Sequence, residues 1–435
     1  MSTLDASDTW RGDPLHESWL FRNAWLENTT TPVDIAIREG KIAEIGEELS
    51  QEGIHVIDAS GMLASPLFID PHHHLDCAFL SEPPNLSGTL EEAIQINARL
   101  KVNRSDTEVS ENAFRALRIA LQNGTGWIRS HTDIDSVSKL ELLHPILEAK
   151  GKFRGLVEVQ IVAFPQLGLV TDPESVGLMR AAMREGADVV GGMPHAEASP
   201  GDAKKHIEIA FQIASEFNAD IDMHVDETDD PNSHTLELLA DATIRHEYHG
   251  RVTAGHCCAL AAYPDEYARR VIEKVAEAQI NVITNPLVNL YLQGRNDRQP
   301  VRRGVTRVRE LLEAGVNVSC GSDDISNLFF PFGRMDMLEV AMITSVVSHL
   351  TGPEEIQTAF DMPRWRAAQV INLKEYGIMP GASANIVFLA ARNAREALQL
   401  QPVRRMVIRN GVLVSSREER IVNQQLNEDG ADDRE

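Results

Sequence analysis

The sequence predicts an α/β fold built on a (β/α)8 barrel, with a small β-rich module to which both ends of the chain contribute. Eight apolar runs rich in β-branched residues recur along the middle of the chain, and a helix-like stretch follows each one. Polar residues cluster at the carboxyl end of nearly every run, and a barrel opens all of those ends on one face. The runs end near residues 70–72, 128–131, 162–165, 190–193, 222–224, 253–256, 283–286 and 319–323.

Strand-like sequence also stands at both ends of the chain. Near the amino end, the runs 33–37 and 41–45 are separated by a Glu-Gly turn signal. Near the carboxyl end, residues 384–389 and 406–414 are again strand-like, and an Asn-Gly pair typical of a hairpin divides the second stretch. We therefore expect the two ends to join in one small β-domain.

These patterns divide the chain of 435 residues into four parts. We expect residues 1–65 to begin the β-domain, 66–376 to form the barrel, and 377–418 to complete the β-domain. Residues 419–435 are polar and charge-rich, which is typical of a frayed tail. One barrel with a small attached module accounts for this length without two independent folds.

The chain is strongly acidic. Asp and Glu outnumber Lys and Arg by 65 to 41, which gives a formal net charge of -24. Such a charge repels nucleic acid and anionic membranes, so we expect neither as a partner and favour a neutral or cationic small-molecule substrate. We also expect the chain to form a homo-oligomer.

Cysteine usage and the first residues indicate the compartment. The four cysteines show no CxxC pairing, and the adjacent Cys257 and Cys258 are poor disulfide partners. The amino end is polar and acidic without the basic and apolar regions of a signal peptide, and no run of about 18 apolar residues follows. We therefore expect a reduced, cytoplasmic protein that does not span a membrane.

Three histidines follow the first apolar run of the barrel. Because side chains alternate along an extended chain, His72 and His74 point to one side and His73 points to the other. Two imidazoles on one side suit a shared metal ion. Taken alone, the run is equally consistent with loop histidines that face solvent or bind metal adventitiously.

Two further polar residues follow apolar runs and favour the metal interpretation. His224 ends the fifth run and Asp323 follows the eighth, where a buried polar group needs a partner to offset its desolvation. Three neutral imidazoles and one carboxylate, with a position left for water, are typical of a catalytic site for zinc, iron or a similar ion. We expect His72, His74, His224 and Asp323 to hold it.

Two residues near these ligands are candidates for proton chemistry. Glu227 lies three residues beyond His224, close enough to take a proton from water and pass it to substrate. The alternative is a solvated acidic loop, because Asp226 and residues 229–230 crowd the same segment. For His256, after the sixth run, three roles stay open: it holds the metal-bound water, it polarises the reacting carbon, or it is structural.

Several short strings of residues resemble those of a known enzyme family. The chain is similar to the amidohydrolase superfamily and, more narrowly, to the bacterial cytosine deaminases. The likeness extends from about residue 66 to about residue 381 and continues weakly into the C-terminal strands. It rests on the strings at residues 70–76, 160–166, 224–227, 285–289, 292–295 and 321–324.

The resemblance implies a distorted TIM barrel with a composite β-sandwich and one Fe2+ or Zn2+ ion. It assigns Glu227 as the proton shuttle and has His256 and Asp323 orient the hydroxide. By the same carry-over, Gln166 hydrogen-bonds the ring amide edge of the substrate and Asp324 lies near its far edge. The metal ligands it implies are His72, His74, His224 and Asp323.

Three segments bear on the metal count and the substrate. The fourth run, within 189–195, has no lysine of the kind that bridges two metals in binuclear relatives, so we expect one metal ion. This also argues against the ring-opening hydrolases of the superfamily, which depend on a bridged pair of metal ions. The loop 325–331 lacks the tryptophan that the resemblance would place there, and the segment 77–83 is short and apolar. We expect both segments to line the pocket, with Phe329 as a substrate contact.

The function predicted from these features is hydrolytic deamination of a small nitrogen heterocycle, with conversion of cytosine to uracil and ammonia as the leading reaction. Isocytosine, creatinine, a pterin or an s-triazine amine are alternative substrates that leave the catalytic set intact. A cyclic-amide hydrolase of the same superfamily is a further alternative. A non-catalytic barrel is disfavoured, because a scaffold needs no acid-base residue beside an open coordination site.

Overall fold

The structure, a computed structural model, describes residues 18–417, so the tail expected at 419–435 lies outside the described residues. Sixteen strands occur within 18–417. They are β1 (Trp19–Ala24), β2 (Val33–Arg38), β3 (Lys41–Gly46), β4 (His55–Asp58), β5 (Leu63–Pro66), β6 (Phe68–His73), β7 (Thr125–Asp133), β8 (Glu158–Phe164), β9 (Val189–Gly192), β10 (Asp220–Val225), β11 (Val252–His256), β12 (Asn281–Thr284), β13 (Val318–Cys320), β14 (Ile386–Leu389), β15 (Arg404–Arg409) and β16 (Val412–Ser416).

Helices alternate with the strands of the middle region. The α-helices of the described part are α1 (Leu90–Leu100), α2 (Asp106–Gln122), α3 (Leu143–Lys152), α4 (Ser175–Glu185), α5 (Pro200–Phe217), α6 (Thr235–Arg245), α7 (Asp265–Glu277), α8 (Pro286–Leu292), α9 (Val308–Glu313), α10 (Met337–Val347), α11 (Pro353–Asp361), α12 (Ala367–Val370) and α13 (Ala394–Leu400). Short 3-10 helices cover Leu75–Cys77, Lys101–Asn103, Pro194–Ala196 and Cys258–Ala262, and a π-helical turn covers Met362–Arg366.

The eight predicted runs form one parallel sheet, in the order β13-β12-β11-β10-β9-β8-β7-β6. The two outer strands meet, because the His74 N–H donates to the Asp323 carbonyl at 2.9 Å and the Asp323 N–H donates to the His72 carbonyl at 2.9 Å. These bonds close the sheet, so the barrel prediction is confirmed. Two connections carry an additional helix, α1 after β6 and α8 after β12.

The helices cover the barrel with apolar faces. In α7, Ala268, Val271, Ile272 and Val275 are buried at the i, i+3, i+4 and i+7 spacing of one helix face. Each buried Val or Ile side chain contributes about 1.5–3 kcal/mol relative to its exposed state. The parallel strands are buried on both faces, which explains their near-continuous apolar sequence.

Both chain ends contribute to a second core outside the barrel. One four-stranded sheet has the order β3-β2-β1-β4 and the other has the order β16-β15-β14-β5. Phe21 of the first sheet packs on Phe388 of the second, with ring centroids 4.5 Å apart. The expected composite β-sandwich is therefore confirmed, whereas the domain boundaries stay a prediction.

Two further features concern the compartment. Among residues 18–417, no helix combines the length and the apolar character that crossing a membrane requires. All four cysteines of the chain are buried and unpaired.

Candidate active site

A cavity lies at the C-terminal ends of the barrel strands. The carboxyl ends of parallel strands are where (β/α)8 enzymes place their catalytic groups. Most of the residues singled out in the sequence face this cavity. It is lined by His74, Gln166, His224, Glu227, His256, Asp323, Asp324 and Phe329.

The three consecutive histidines diverge as the alternation of strand β6 requires. His72 Nε2 and His74 Nε2 lie 3.4 Å and 3.6 Å from Asp323 Oδ1. His73 Nδ1 instead lies 2.9 Å from the Ser322 hydroxyl, which donates to Asp70. The structure therefore directs His72 and His74 to Asp323, whereas His73 helps to join the first and last strands.

The imidazole of His224 lies beside those of His72 and His74. Its Nε2 faces His74 Nε2 at 3.0 Å, and its ring centroid lies 4.7 Å from that of His72. Both ring nitrogens of His72, Nδ1 of His224 and Oδ2 of Asp323 are buried without a hydrogen-bond partner among residues 18–417. Buried donor atoms left without partners fit a cation, so these His and Asp side chains could hold a metal ion.

The protonation of the cluster suits metal binding. Burial lowers the pKa of His72 to about 4, and it holds the pKa values of His74 and His224 well below 6.5. These imidazoles are therefore neutral at neutral pH, which is the form that binds a metal. Burial also raises the pKa of Asp323, and a nearby cation would offset that cost.

His256 differs from the other histidines of the cluster in having polar partners. Together with His72, His224 and Asp323 it forms a group whose potential ligand atoms all lie within 4.8 Å of one another. Its Nδ1, however, is 3.0 Å from Asn289 Nδ2 and 3.4 Å from Glu227 Oε1. This environment is that of a hydrogen-bonded residue beside the ligands.

A second group of potential ligands lies beneath His72. The rings of His131 and His72 have centroids 4.2 Å apart, and His131 Nε2 lies 3.7 Å from Asp222 Oδ1. Arg129 already pairs with the other oxygen of Asp222 at 2.8 Å. Because this guanidinium would repel a second cation, we interpret the group as support for His72 rather than as another metal site.

Glu227 enters the cavity from a turn held by its neighbour. Asp226 has a φ of +47°, in the left-handed region, which turns the chain directly before Glu227. The Asp226 carboxylate accepts from the N–H groups of Thr235 and Leu236, each at 2.9 Å, and from the Ser233 hydroxyl at 2.6 Å. The solvated-loop interpretation is therefore wrong for Asp226, which is 1% exposed and caps helix α6.

We expect Asp226→Ala to lower kcat by about 10²-fold, because Glu227 loses the turn that positions it. The lost helix cap should also cost about 0.5–2 kcal/mol of unfolding free energy. Steady-state kinetics and urea unfolding measure both effects. Asp230→Ala, at an exposed position of the same segment, is the control. Unchanged kcat in Asp226→Ala would contradict the positioning role.

The ionisation of Glu227 suits proton transfer. Its carboxyl is buried, and burial, followed by the charges of Asp323 and Asp324, raises its pKa well above 4.5. A carboxyl with a raised pKa both accepts and returns a proton near neutral pH.

The three predicted substrate contacts line the same cavity. Gln166 follows β8, with its Oε1 3.3 Å from Asn97 Nδ2. Asp324 accepts from the Cys77 thiol at 3.5 Å and from Asn327. Phe329 is buried in an apolar cluster that also contains Cys77. These placements are compatible with the three contacts, which stay predictions.

The segment 77–83 contributes less to the cavity than expected. Cys77 is its cavity-lining residue, whereas Leu80 packs behind it in the cluster of Phe329. Phe79 lies outside the cavity, under the guanidinium of Arg115.

A buried glutamate holds the loop that follows Gln166. The carboxylate of Glu197 accepts from the backbone N–H groups of residues 169, 170 and 171 at 2.8–2.9 Å. His206 Nε2 accepts the Met193 N–H at 3.1 Å, so its Nδ1–H donates to Glu197 at 2.8 Å. The pair thereby joins the Gln166 loop to Met193, another cavity residue.

Glu197 makes stability depend on pH. Burial acts to raise its pKa, but hydrogen bonds from His206, Val170 and Thr171 outweigh burial and lower the pKa from 4.5 to about 2. The stabilisation is therefore present above about pH 4.5 and is lost as pH falls towards 2. The difference in unfolding free energy between wild type and Glu197→Gln should shrink over that interval in urea titrations.

A pH-independent difference would contradict this account of Glu197. Glu313→Gln, at an exposed position, is the matched control and should track wild type at every pH.

Sequence reasoning missed the contribution of helix α1. Leu90, Ile94 and Asn97, at i, i+4 and i+7, all line the cavity from this additional helix. This spacing is visible in the sequence, but the predicted site consisted of strand ends and the segments 77–83 and 325–331, without a helix. Asp76 and Asp133 also line the cavity and were likewise missed.

The family match covers most of the chain. A model of the amidohydrolase family matches residues 82–415. A curated relative, N-isopropylammelide isopropyl amidohydrolase of Pseudomonas sp. (strain ADP), is 30% identical over 91% of this chain and 96% of its own length. The pterin deaminase of Rhizobium rhizogenes is 30% identical over 88% of this chain and 87% of its own length.

Solved structures agree with the barrel and its additional sheets. The 5-methylcytosine deaminase of Klebsiella pneumoniae, liganded with 5-fluorocytosine, is 32% identical and superposes with a TM-score of 0.90 over 94% of this chain and 100% of that chain. N-isopropylammelide isopropylaminohydrolase of Burkholderia multivorans is 28% identical, with a TM-score of 0.81 over 92% of this chain and 98% of that chain.

These matches confirm the resemblance to cytosine deaminase-like relatives and the prediction of a hydrolase. The closed barrel, the His/Asp cluster at its C-terminal face and the sequence likeness agree with one another. The chain belongs to the amidohydrolase family.

Proposed function

We propose that this chain hydrolyses an exocyclic amino group from a small nitrogen heterocycle, with cytosine as the leading substrate. One observation carries the proposal. Glu227, a buried carboxyl with a raised pKa, shares a cavity with the imidazole and carboxylate groups of the proposed ligands, which have unpartnered atoms. A non-catalytic scaffold has no use for this combination.

His72, His74, His224 and Asp323 are the proposed ligands of one divalent ion. A bound Zn2+ or Fe2+ ion supplies a water of lowered pKa and Lewis acidity. The unpartnered ring nitrogens of His72 and His224 support the assignment. The hydrogen bonds of His256 favour a role in orienting water, which leaves the four ligands as the sequence predicted them.

The proton steps fall to Glu227. Its carboxylate accepts a proton from the attacking water as the oxygen bonds to the amine-bearing ring carbon. Glu227 then returns this proton to the ring nitrogen. It next takes the second proton of the original water from the new hydroxyl on the ring carbon and passes it to the amine, so a carbonyl forms, the carbon–nitrogen bond breaks and ammonia leaves. The overall change adds one water and releases one ammonia.

The ring is proposed to bind between polar and apolar walls. Gln166 would hydrogen-bond the amide edge of the heterocycle, and Asp324 would face the opposite edge. Phe329 and Phe164 contribute apolar surface, and Phe164 stacks on His224 with centroids 4.2 Å apart. In such a site the apolar side chains contact the ring, and the polar groups fix its orientation.

Cytosine leads because the relative with a TM-score of 0.90 is a 5-methylcytosine deaminase solved with 5-fluorocytosine. A second candidate is an alkylamino s-triazine, supported by the relative named N-isopropylammelide isopropyl amidohydrolase. The cavity shares Leu90, Ile94 and Met193 with a wider groove of about 1880 Å³, which offers space for a substituent on the leaving amine.

Ammonia release by metal-loaded protein tests the proposal. Cytosine, isocytosine, creatinine, a pterin and N-isopropylammelide form the panel, with isopropylamine followed for the last compound. We expect cytosine to give ammonia and uracil with the ring intact. Ring-opened products would instead identify a cyclic-amide hydrolase, and no product from any compound would contradict the proposed function.

The location of the protein, its class of partner and its oligomeric state are also proposals. Four buried, unpaired cysteines support a reduced, cytoplasmic location. The net charge of -24 supports a small-molecule substrate over nucleic acid. Homo-oligomer formation is proposed as well, and light scattering of the purified chain tests it.

A further inference from the structure

Helix α1 closes one side of the cavity with a single polar residue. Leu90, Ile94 and Asn97 face the cavity at i, i+4 and i+7, and Asn97 is 4% exposed. A polar side chain buried on an otherwise apolar helix face needs hydrogen-bond partners. The partners of Asn97 therefore indicate what it does.

Asn97 connects a fixed carboxylate to the proposed substrate-binding amide. Its Nδ2 donates to Asp133 Oδ2 at 3.2 Å and to Gln166 Oε1 at 3.3 Å. Asp133 is itself held by Lys101 Nζ at 3.0 Å, and Lys101, 1% exposed, also pairs with Asp135. Because Lys101 follows Asn97 by four residues, this ion pair anchors the same end of α1.

These contacts fix the direction of the Gln166 carboxamide. Its Oε1 faces the Asn97 donor, and its Nε2 has no hydrogen-bond partner among residues 18–417. The reversed amide would oppose two NH2 groups and leave one of the two Asn97 N–H groups without an acceptor, while the other still donates to Asp133. The N–H of Gln166 is therefore the group left to meet a substrate, and it meets a hydrogen-bond acceptor.

We propose that Asn97 is a positioning residue that sets the amide direction of Gln166, so that the site selects heterocycles with a ring carbonyl oxygen at that edge. This inference rests on the proposed function. It predicts that cytosine, with its 2-oxo group, is preferred over 2,4-diaminopyrimidine, in which an amino group replaces that oxygen. The discrimination arises because the Gln166 N–H would face the 2-amino group of 2,4-diaminopyrimidine, and two donors that face each other both stay unpaired.

Two substitutions at Asn97 separate positioning from a merely structural role. Asn97→Ala frees the Gln166 amide, so KM for cytosine should rise about 10-fold with a smaller change in kcat. Asn97→Asp offers an acceptor in place of the donor, so the amide should reverse and the preference for cytosine over 2,4-diaminopyrimidine should fall by about 10-fold. Gln95→Ala, at an exposed position of α1, is the matched control.

A double-mutant cycle shows whether Asn97 acts through Gln166. In a Gln166→Ala background, Asn97→Ala should change kcat/KM for cytosine by less than about 2-fold, because its target is gone. Metal content and thermal unfolding confirm that each variant is folded and loaded. The inference would be overturned if Asn97→Ala and Gln166→Ala changed kcat/KM independently, so that their effects multiplied in the double variant. It would also be overturned if both Asn97 variants kept the wild-type preference for cytosine over 2,4-diaminopyrimidine.

Crystal structures of wild type and Asn97→Asp keep this test separate from the proposed function. If wild type releases no ammonia from cytosine, the proposed function fails for that substrate while the positioning role is still decided by the Gln166 side chain. Reversed hydrogen-bond partners of Gln166 in Asn97→Asp would support the inference. A Gln166 side chain that keeps its partners and conformation would overturn it.

Discussion

Replacing Glu227 by glutamine is expected to lower kcat by about 10²- to 10⁴-fold while metal content stays at the wild-type level. Glutamine has nearly the shape of glutamate but neither accepts nor returns a proton. Glu227 faces the cavity 3.4 Å from His256 and is not one of the proposed metal ligands. The substitution should therefore remove the base and leave the proposed ligands in place. Ammonia release and elemental analysis on the same sample give both quantities.

The matched control for this experiment is Glu266→Gln, at an exposed position of helix α7. It makes the same chemical change far from the cavity and should behave as wild type. Loss of metal in Glu227→Gln, with activity per bound ion retained, would contradict the proton-shuttle role and make Glu227 a ligand instead.

Replacing His72 by alanine is expected to deplete the bound metal and to abolish turnover with it. Both His72 ring nitrogens are buried without partners among residues 18–417, and its Nε2 lies 3.4 Å from Asp323. Removing one of four ligands weakens binding and leaves the remaining donors poorly arranged. Elemental analysis after dialysis, compared with wild type prepared in parallel, measures the loss.

Two other histidines make the His72 experiment specific. His144→Ala changes an exposed histidine paired with Glu185 and should retain the metal. His73→Ala should lower the unfolding free energy through its lost contact with Ser322 while the folded fraction still binds metal. Full metal occupancy in His72→Ala would show that the cluster is not the metal site.

The clustering of the proposed ligands could be predicted because each of them lies at or near the end of an apolar run. His72, His224 and Asp323 stand at strand ends that a barrel gathers on one face, so residue type and position together indicated a common site. The alternation of side chains along strand β6 likewise predicts that His73 points away from His72 and His74, and His73 contacts Ser322 instead. Periodicity and strand polarity are properties of local sequence, and these predictions needed nothing more.

Other parts of the site depend on contacts that local sequence does not reveal. The sequence left a solvated loop as the alternative for the segment of Asp226, because a buried carboxylate that caps a helix looks the same in sequence as an exposed one. Asn97 lies on helix α1, which is inserted between strand β6 and helix α2. It precedes its partner Gln166 by 69 positions. Such long-range hydrogen bonds become visible only when the chain is folded.

The central claim is that His72, His74, His224 and Asp323 bind one divalent ion beside Glu227. Anomalous X-ray scattering from crystals of metal-loaded protein tests it most directly. The account predicts a single peak within about 2.0–2.2 Å of three imidazole nitrogens and one Asp323 oxygen. The absence of a peak at that position, or a peak bound by other residues of the cavity, would contradict it.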